Sequence, residues 1–498
     1  MTNKEELQLI TFGERVAEEE ISNLSSYFVE TDNWRRVFSG EIDIVYGSKG
    51  SGKSAIYTIL DANKEKLFDN GIILTAAENP RGDTVFEGLS IDPPTTESEF
   101  IRLWKLYFVV IAYVEFESWG INNKYLDELK DILTNSGLIP PQKGLKSILN
   151  ICRKYVKHLT SFESAQANVN LDKETGSPTG YAFKVSFREP DLGEVKAGVK
   201  SIEYLYKLLE QILNESKFKL WIAIDRLDVA FTENIELENN ALKALFKVYR
   251  DLAPLNSLKI KIFLRDDIWK RLTNDGFREA SHITKTLTIN WTRESIVNLI
   301  IRRLLNNSAI IEKYNIDKDS VLLDYRKQED LFYQVIPKQI EIGRKKPCSI
   351  EWIITRLKDG KGVVAPREVI HLFNEAKQEQ IKKIETGQND LEIDNIIGGS
   401  AFKKALNIVS KVRLEQTVYA EYPSLKLFIE KLRLQKTEQN INSLKNIWGL
   451  SKDETMDKVK KLVDIGFFEE KVGAQDSRFW VPFIYRNELA MIQGAADY

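Results

Sequence analysis

Residues 41–60, EIDIVYGSKGSGKSAIYTIL, run from a short apolar stretch through a glycine-rich turn directly into a helical pattern. The β-branched run at 41–46 predicts a buried strand, and the apolar spacing after residue 54 predicts a helix. Between them, Gly47-Ser48-Lys49-Gly50-Ser51-Gly52-Lys53-Ser54 fits G-x-x-x-x-G-K-[ST]. Glycines allow the backbone to wrap closely and aim its N–H groups at phosphate oxygens, and the helix that follows turns its positive end to the same point. Gly47, Ser48, Lys49, Gly50, Ser51, Gly52, Lys53, Ser54 and Ala55 are therefore the candidate phosphate-binding residues. Lys53 is expected to reach the β- and γ-phosphates, and the Ser54 hydroxyl to ligate Mg²⁺. The competing reading, a chance glycine turn, is disfavoured by the strand before it and the helix after it.

Further short apolar runs predict strands at 71–77, 219–225, 260–265 and 286–290, with helical patterns between them. That alternation points to an α/β core, a parallel sheet covered by helices on both faces. The run LWIAID places Asp225 at a strand end, where a carboxylate can hold a Mg²⁺ shell. Arg226 follows directly, so Asp228 is the nearest acid able to orient an attacking water; its plainer reading is a helix N-cap. IKIFLRDD ends in Arg265, placed to meet a γ-phosphate if its strand neighbours the one before the glycine turn, or else to pair with Asp266 or Asp267. In APRE, Pro366 suits a first helical turn, and Arg367 either reaches back over a nucleotide or is solvated.

The 498 residues include 71 basic and 73 acidic side chains, net charge −2, so nucleic-acid binding would have to come from a local patch. Two distant cysteines, Cys152 and Cys348, exclude a disulfide framework and suit a reducing cytoplasm. With three histidines and no cysteine cluster, a zinc site is not expected. The most apolar run, LYFVVIAYV at 106–114, is too short to span a bilayer and reads as a buried helix or strand. The expected organisation is an N-terminal helical segment (1–40), a core (41–291) with a helical and hairpin insertion at about 100–200, a helical lid (292–415) and a C-terminal domain (416–498). The last contains an amphipathic helix at 452–464, a stop at Gly466 and two alternating strands joined by VGAQD, the pattern of a winged helix.

GSKGSGKS, IAIDRLD, IFLRDD, LTINWTRESIVNLIIRR and APRE occur in an order that resembles the AAA+/STAND branch of P-loop ATPases. IDRLD is similar to the D-G-x-D pattern of NACHT-type and KAP-type members. With FREASHI at 277–283, the chain resembles a bacterial group of which some members neighbour phage-defence genes. The resemblance implies strand order 5-1-4-3-2, ATP and Mg²⁺ as cofactors, Lys53, Asp225, Asp228 and Arg265 as catalytic groups and Arg367 as a nucleotide contact. It also implies a homo-oligomer or a partner effector protein, and a nucleotide-driven conformational switch. The chain departs from the pattern at Arg226, where an acid is usual, and at Val229, which places fast hydrolysis in doubt. DNA is a candidate partner through the winged helix, where Lys458, Lys460, Lys461, Lys471 and Arg478 gather. Yet residues 421–498 hold 12 basic and 12 acidic side chains, which favours a packing or regulatory module. The competing class is a nucleotide-gated DNA- or protein-binding module with little turnover. A small-molecule P-loop kinase fits less well with so long a chain.

Overall fold

A computed structural model describes residues 3–496, apart from 16–18, 21–23, 25–27, 80–83, 88, 90–93, 95, 141–143, 169–183, 228–233, 389–394 and 473–476. The chain divides into two compact units, one comprising 33–46 and 53–288, the other 1–32, 47–52 and 289–498. The first is built on a five-stranded parallel sheet of β1 (Ile44–Gly47), β2 (Ile72–Ala76), β3 (Lys219–Ile224), β4 (Leu258–Arg265) and β5 (Thr286–Thr288), ordered β2-β3-β4-β1-β5. Read from the other edge this is 5-1-4-3-2, the order implied by the resemblance. β1 to β3 are largely apolar and buried, as strands covered on both faces are, whereas β4 (LKIKIFLR) sets Lys259 and Lys261 between its apolar residues.

Helix α1 (Lys53–Ala62) follows the glycine turn and buries Ile56, Tyr57, Ile59 and Leu60. The apolar run at 106–114 is the middle of α2 (Glu97–Ser118), opened by a capping box between Thr96 and Glu99. Trp104 on α2 donates its indole N–H to the Ala241 carbonyl of α3 (Ile235–Leu252), 3.0 Å away, which satisfies the one polar atom of a fully buried ring. The described part of the insertion carries two-residue strands, Val185–Ser186 and Lys200–Ser201, paired in parallel. Of YAFKVSF (181–187), the alternating segment that suggests a hairpin, residues 181–183 lie outside the described residues.

In the second unit, α4 (Arg293–Leu304) begins at Thr292, whose side chain accepts from the Ser295 amide. Helices α5 (Ser349–Leu357), α6 (Pro366–Glu385) and α7 (Gly399–Arg413) share one apolar core with the C-terminal segment. A π-helical turn, Leu414–Tyr419, continues from the end of α7. Helices α8 (Ile441–Trp448) and α9 (Lys452–Asp464) then pack with a sheet of β6 (Lys436–Gln439), β7 (Glu469–Val472), β8 (Ser477–Trp480) and β9 (Ile492–Ala495). The antiparallel β7–β8 pair after α9 is the wing of a winged helix. Among the described residues no helix is long and apolar enough to cross a membrane.

A buried ion pair lies in the first unit. Lys261, in the middle of β4, donates to the Ile42 carbonyl and to Asp43 Oδ1 at 3.1 Å, and its ammonium lies 4.4 Å from the centre of the Trp221 ring. Tyr249 donates to Asp43 Oδ2 at 3.3 Å. Burial pushes the lysine down to about 8, with Asp43 opposing. Removing one partner of such a pair strands the other charge, so Lys261→Ala is expected to lower stability by about 3–5 kcal/mol. Urea unfolding checks this, and Lys261→Met with Asp43→Asn should recover most of the loss.

Candidate functional site

The strand–turn–helix at residues 44–62 places each candidate group by simple local rules. In the turn, Gly50 and Gly52 have φ of +80° and +100°, a region closed to most side chains, so the glycines are required by the backbone path. Ser51 donates its amide to the Ser48 carbonyl at 3.2 Å, closing the loop. The amides of Gly50 and Gly52 donate to no acceptor among the described residues. The first-turn amides of α1, including those of Ser54 and Ala55, have no partner within their own helix, as at any helix start.

Residues 47–52 pack within the second unit. Trp291 donates its indole N–H to the Ser51 carbonyl at 2.8 Å. A methyl group on Gly50 would lie 3.2 Å from Arg367 Cβ and 3.4 Å from Arg367 Nε, so the guanidinium stem runs along this glycine. Lys49 pairs with Glu421, which lies just beyond the π-helical turn.

In the first unit, Lys53 is half-buried at the start of α1. Ser54 donates its hydroxyl to Asp225 Oδ2 at 2.9 Å, and Asp225 is only 3% exposed. The two candidate Mg²⁺ ligands, 171 positions apart in the chain, are thus adjacent. Arg226 has φ +59°, a left-handed conformation that costs a non-glycine residue about 1–2 kcal/mol and turns the chain sharply after Asp225. Arg265 lies on β4, which neighbours β1, and its guanidinium makes a two-pronged pair with Asp267 at 3.0 and 2.7 Å. Asp228 lies outside the described residues.

Sequence reasoning passed over Glu78. It follows β2 by two residues and is fully buried. Its carboxylate accepts from the Val85 amide at 3.1 and 3.2 Å and from the Thr84 hydroxyl at 3.1 Å. Its carbonyl accepts from Tyr57 of α1 at 2.6 Å, while Tyr107 of α2 donates to the Ala77 carbonyl at 2.8 Å. Ala77 also donates its amide to the Ala223 carbonyl at 2.8 Å, which sets the end of β2 beside the end of β3 that carries Asp225. Burial pushes the Glu78 carboxyl up to about 7, with its hydrogen bonds and Arg226 opposing and Asp225 adding to the rise. The signal in the sequence was the same one that marked Asp225, an acid just after an apolar strand.

Strand order and the glycine turn define a P-loop NTPase fold. No family model matches the chain, and no curated protein matches its sequence. Among solved structures it is similar to a Walker-type ATPase of Pyrococcus abyssi at 10% identity and TM-score 0.37, covering 93% of this chain and 96% of that one. The ORC1 protein of Aeropyrum pernix, solved in complex with DNA, matches at 10% identity and TM-score 0.34 over 92% and 91%. The ADP form of the ORC2 protein of the same organism matches at 12% identity and TM-score 0.31 over 95% and 94%. These likenesses are too loose to assign a family or an activity.

Between about pH 4.5 and 7 the folded protein keeps a proton on Glu78 that the unfolded chain has released. Stability is therefore lost as pH rises through that window, by on the order of 3 kcal/mol. Glu78→Gln removes this contribution, so relative to wild type the variant should gain about that much between pH 5 and pH 8 in urea unfolding.

Proposed function

We propose that the chain is a Mg²⁺-dependent ATPase whose nucleotide state acts as a conformational switch. The observation that carries this reading is the set of contacts made by the glycine turn. Trp291 donates to Ser51, Arg367 runs along Gly50, and Lys49 is held by Glu421. A turn that binds a triphosphate tail while wired to three points of the following segment transmits its occupancy to that segment.

In this reading the amides of residues 47–55 and the Lys53 ammonium hold the phosphates, and Arg367 lies along the same turn. Ser54 and Asp225 would hold the Mg²⁺, which when bound neutralises charge on the phosphate oxygens. The donor set fits: a hydroxyl and a carboxylate oxygen 2.9 Å apart are both hard ligands, and Mg²⁺ needs few protein groups when water and phosphate supply the rest. Asp228 is assigned the orientation of the attacking water. Arg265 is assigned the sensing of the γ-phosphate, exchanging Asp267 for it. An anion on the turn competes with Glu421 for Lys49, and that competition is the switch. A homo-oligomer or a partner effector protein, in the setting of bacterial antiviral defence, would receive the signal.

A second reading, a nucleotide-gated DNA- or protein-binding module with little turnover, is favoured by Arg226 standing where an acid would serve hydrolysis. Its DNA form is weakened by the pairing of basic groups on α9 and the wing. Lys461 lies 2.8 Å and Lys458 3.6 Å from Asp457, and Arg478 lies 2.6 Å from Glu438. Lys471 stands 4.0 Å from the centre of the Trp480 ring.

Lys53→Ala is expected to weaken ATP binding at least about tenfold and to abolish turnover, because a desolvated charge-assisted contact is lost. Equal ATP affinity in wild type and variant, measured by calorimetry, would sink the assignment. Glu421→Gln should tighten ATP binding about two- to fivefold, the worth of a partly exposed ion pair.

A further inference from the structure

The second unit contains a cavity of about 280 Å³ whose lining includes Glu341, Trp352 and Arg356, together with Lys403, Phe483 and Arg486. Its charge is unbalanced. The guanidinium carbons of Arg356 and Arg486 stand 3.9 and 4.0 Å from the centre of the same ring, Phe483. The two like charges are therefore at most about 8 Å apart, within one screening length at physiological salt. Arg486 is 6% exposed and donates to uncharged acceptors, the Val481 carbonyl at 2.6 Å and Gln493 Oε1 at 2.9 Å; it makes no ion pair among the described residues. Lys403, on the exposed side of α7, makes neither an ion pair nor a hydrogen bond among them.

Among the described lining residues the one carboxylate, Glu341, is already shared. It accepts from Lys346 at 2.6 Å and from the Trp352 indole at 2.9 Å, and lies 3.6 Å from Arg356. These contacts hold its carboxyl down at about 2. Burial and the neighbouring Arg356 press Arg486 down to about 10, with Glu469 only partly opposing, the mark of a cation whose surroundings do not fully repay its desolvation. Lys403 also lines a second hollow of about 450 Å³ beside Gly398, Gly399 and Ser400.

Folding leaves a pair of guanidiniums fixed by cation–π contact and an ammonium at the rim, with one acid among them. We infer that this cavity binds the phosphate group of a small phosphorylated molecule, with Arg356 and Arg486 as fixed forks and Lys403 as the mobile third contact. Guanidinium planes suit phosphate because two parallel N–H groups match two of its oxygens. The site is concave and close to the lower bound of small-ligand pockets, roughly 300 Å³, which suits a compact ligand better than a duplex backbone. It is separate from the glycine turn and does not depend on the ATPase reading.

The probe is inorganic pyrophosphate, titrated calorimetrically into the full chain at about 0.15 M ionic strength. Lys53→Ala removes the glycine-turn contact, and the remaining binding reports on the cavity. Arg356→Gln and Lys403→Glu, made separately in the Lys53→Ala background, should each weaken that binding at least about tenfold. Lys403 is exposed and its variant should melt as its parent does, so the test survives if Arg356→Gln fails to fold. Absence of pyrophosphate binding in the Lys53→Ala protein, or binding unchanged by Lys403→Glu, overturns the inference. A short DNA duplex that displaces pyrophosphate and is itself weakened by Lys403→Glu also overturns it, in favour of a backbone site. If the cavity variants lose binding while Lys53→Ala changes nothing relative to wild type, the cavity stands and the glycine-turn reading falls.

Discussion

Everything at the candidate site depends on the parallel sheet. In such a sheet the loops that follow the strands all leave from one edge, so groups far apart in sequence are delivered to that edge without any local signal linking them. Glu78 leaves β2, Asp225 leaves β3 and Arg265 ends β4. The hydrogen bond between Ser54 and Asp225 spans 171 positions, yet it needs only that β1 and β3 lie on either side of β4 with the same direction. The Lys261–Asp43 pair ties β4 to the start of β1 at the other end of the strands, and its two charges are buried deeply enough that the pairing must be made correctly or not at all.

Much of this was legible in the sequence because the physics was local. Apolar runs announced the strands, β1 to β3 because a strand covered on both faces has little room for alternation, whereas β4 alternates with Lys259 and Lys261 and β5 is only partly buried. The glycine turn was legible because positive φ at residues 50 and 52 demands glycine. The helix at Lys452–Asp464 was legible from its spacing and from Gly466 after it, whose φ is +77°. The hairpin expected in the insertion falls in part outside the described residues; among the described ones Val185–Ser186 pairs in parallel with Lys200–Ser201, a pairing that alternation cannot reveal because it describes only one face.

What stayed illegible was long-range. Lys49 and Glu421 are 372 positions apart, and nothing near either residue marks the other. Glu78 resembles any acid after a strand until its burial beneath Thr84 and Val85 is seen. Arg356 and Arg486 are unremarkable basic residues in a helix and near the chain end. They become unusual only when folding puts both against Phe483. Arg265 was open to two readings, and its observed pairing with Asp267 sets what a γ-phosphate would have to displace.

The π-helical turn at Leu414–Tyr419 has a geometric consequence. Each residue of an ordinary helix advances the chain by about 100° around its axis, so one surplus residue in a widened turn reorients everything after it by that amount. Glu421 sits two residues beyond the widened turn and meets Lys49 from that orientation. Were the surplus residue drawn back into regular winding, the carboxylate would point about a quarter-turn away from its partner. A contact between the glycine turn and a distant helix thus hangs on the pitch of a single helical turn.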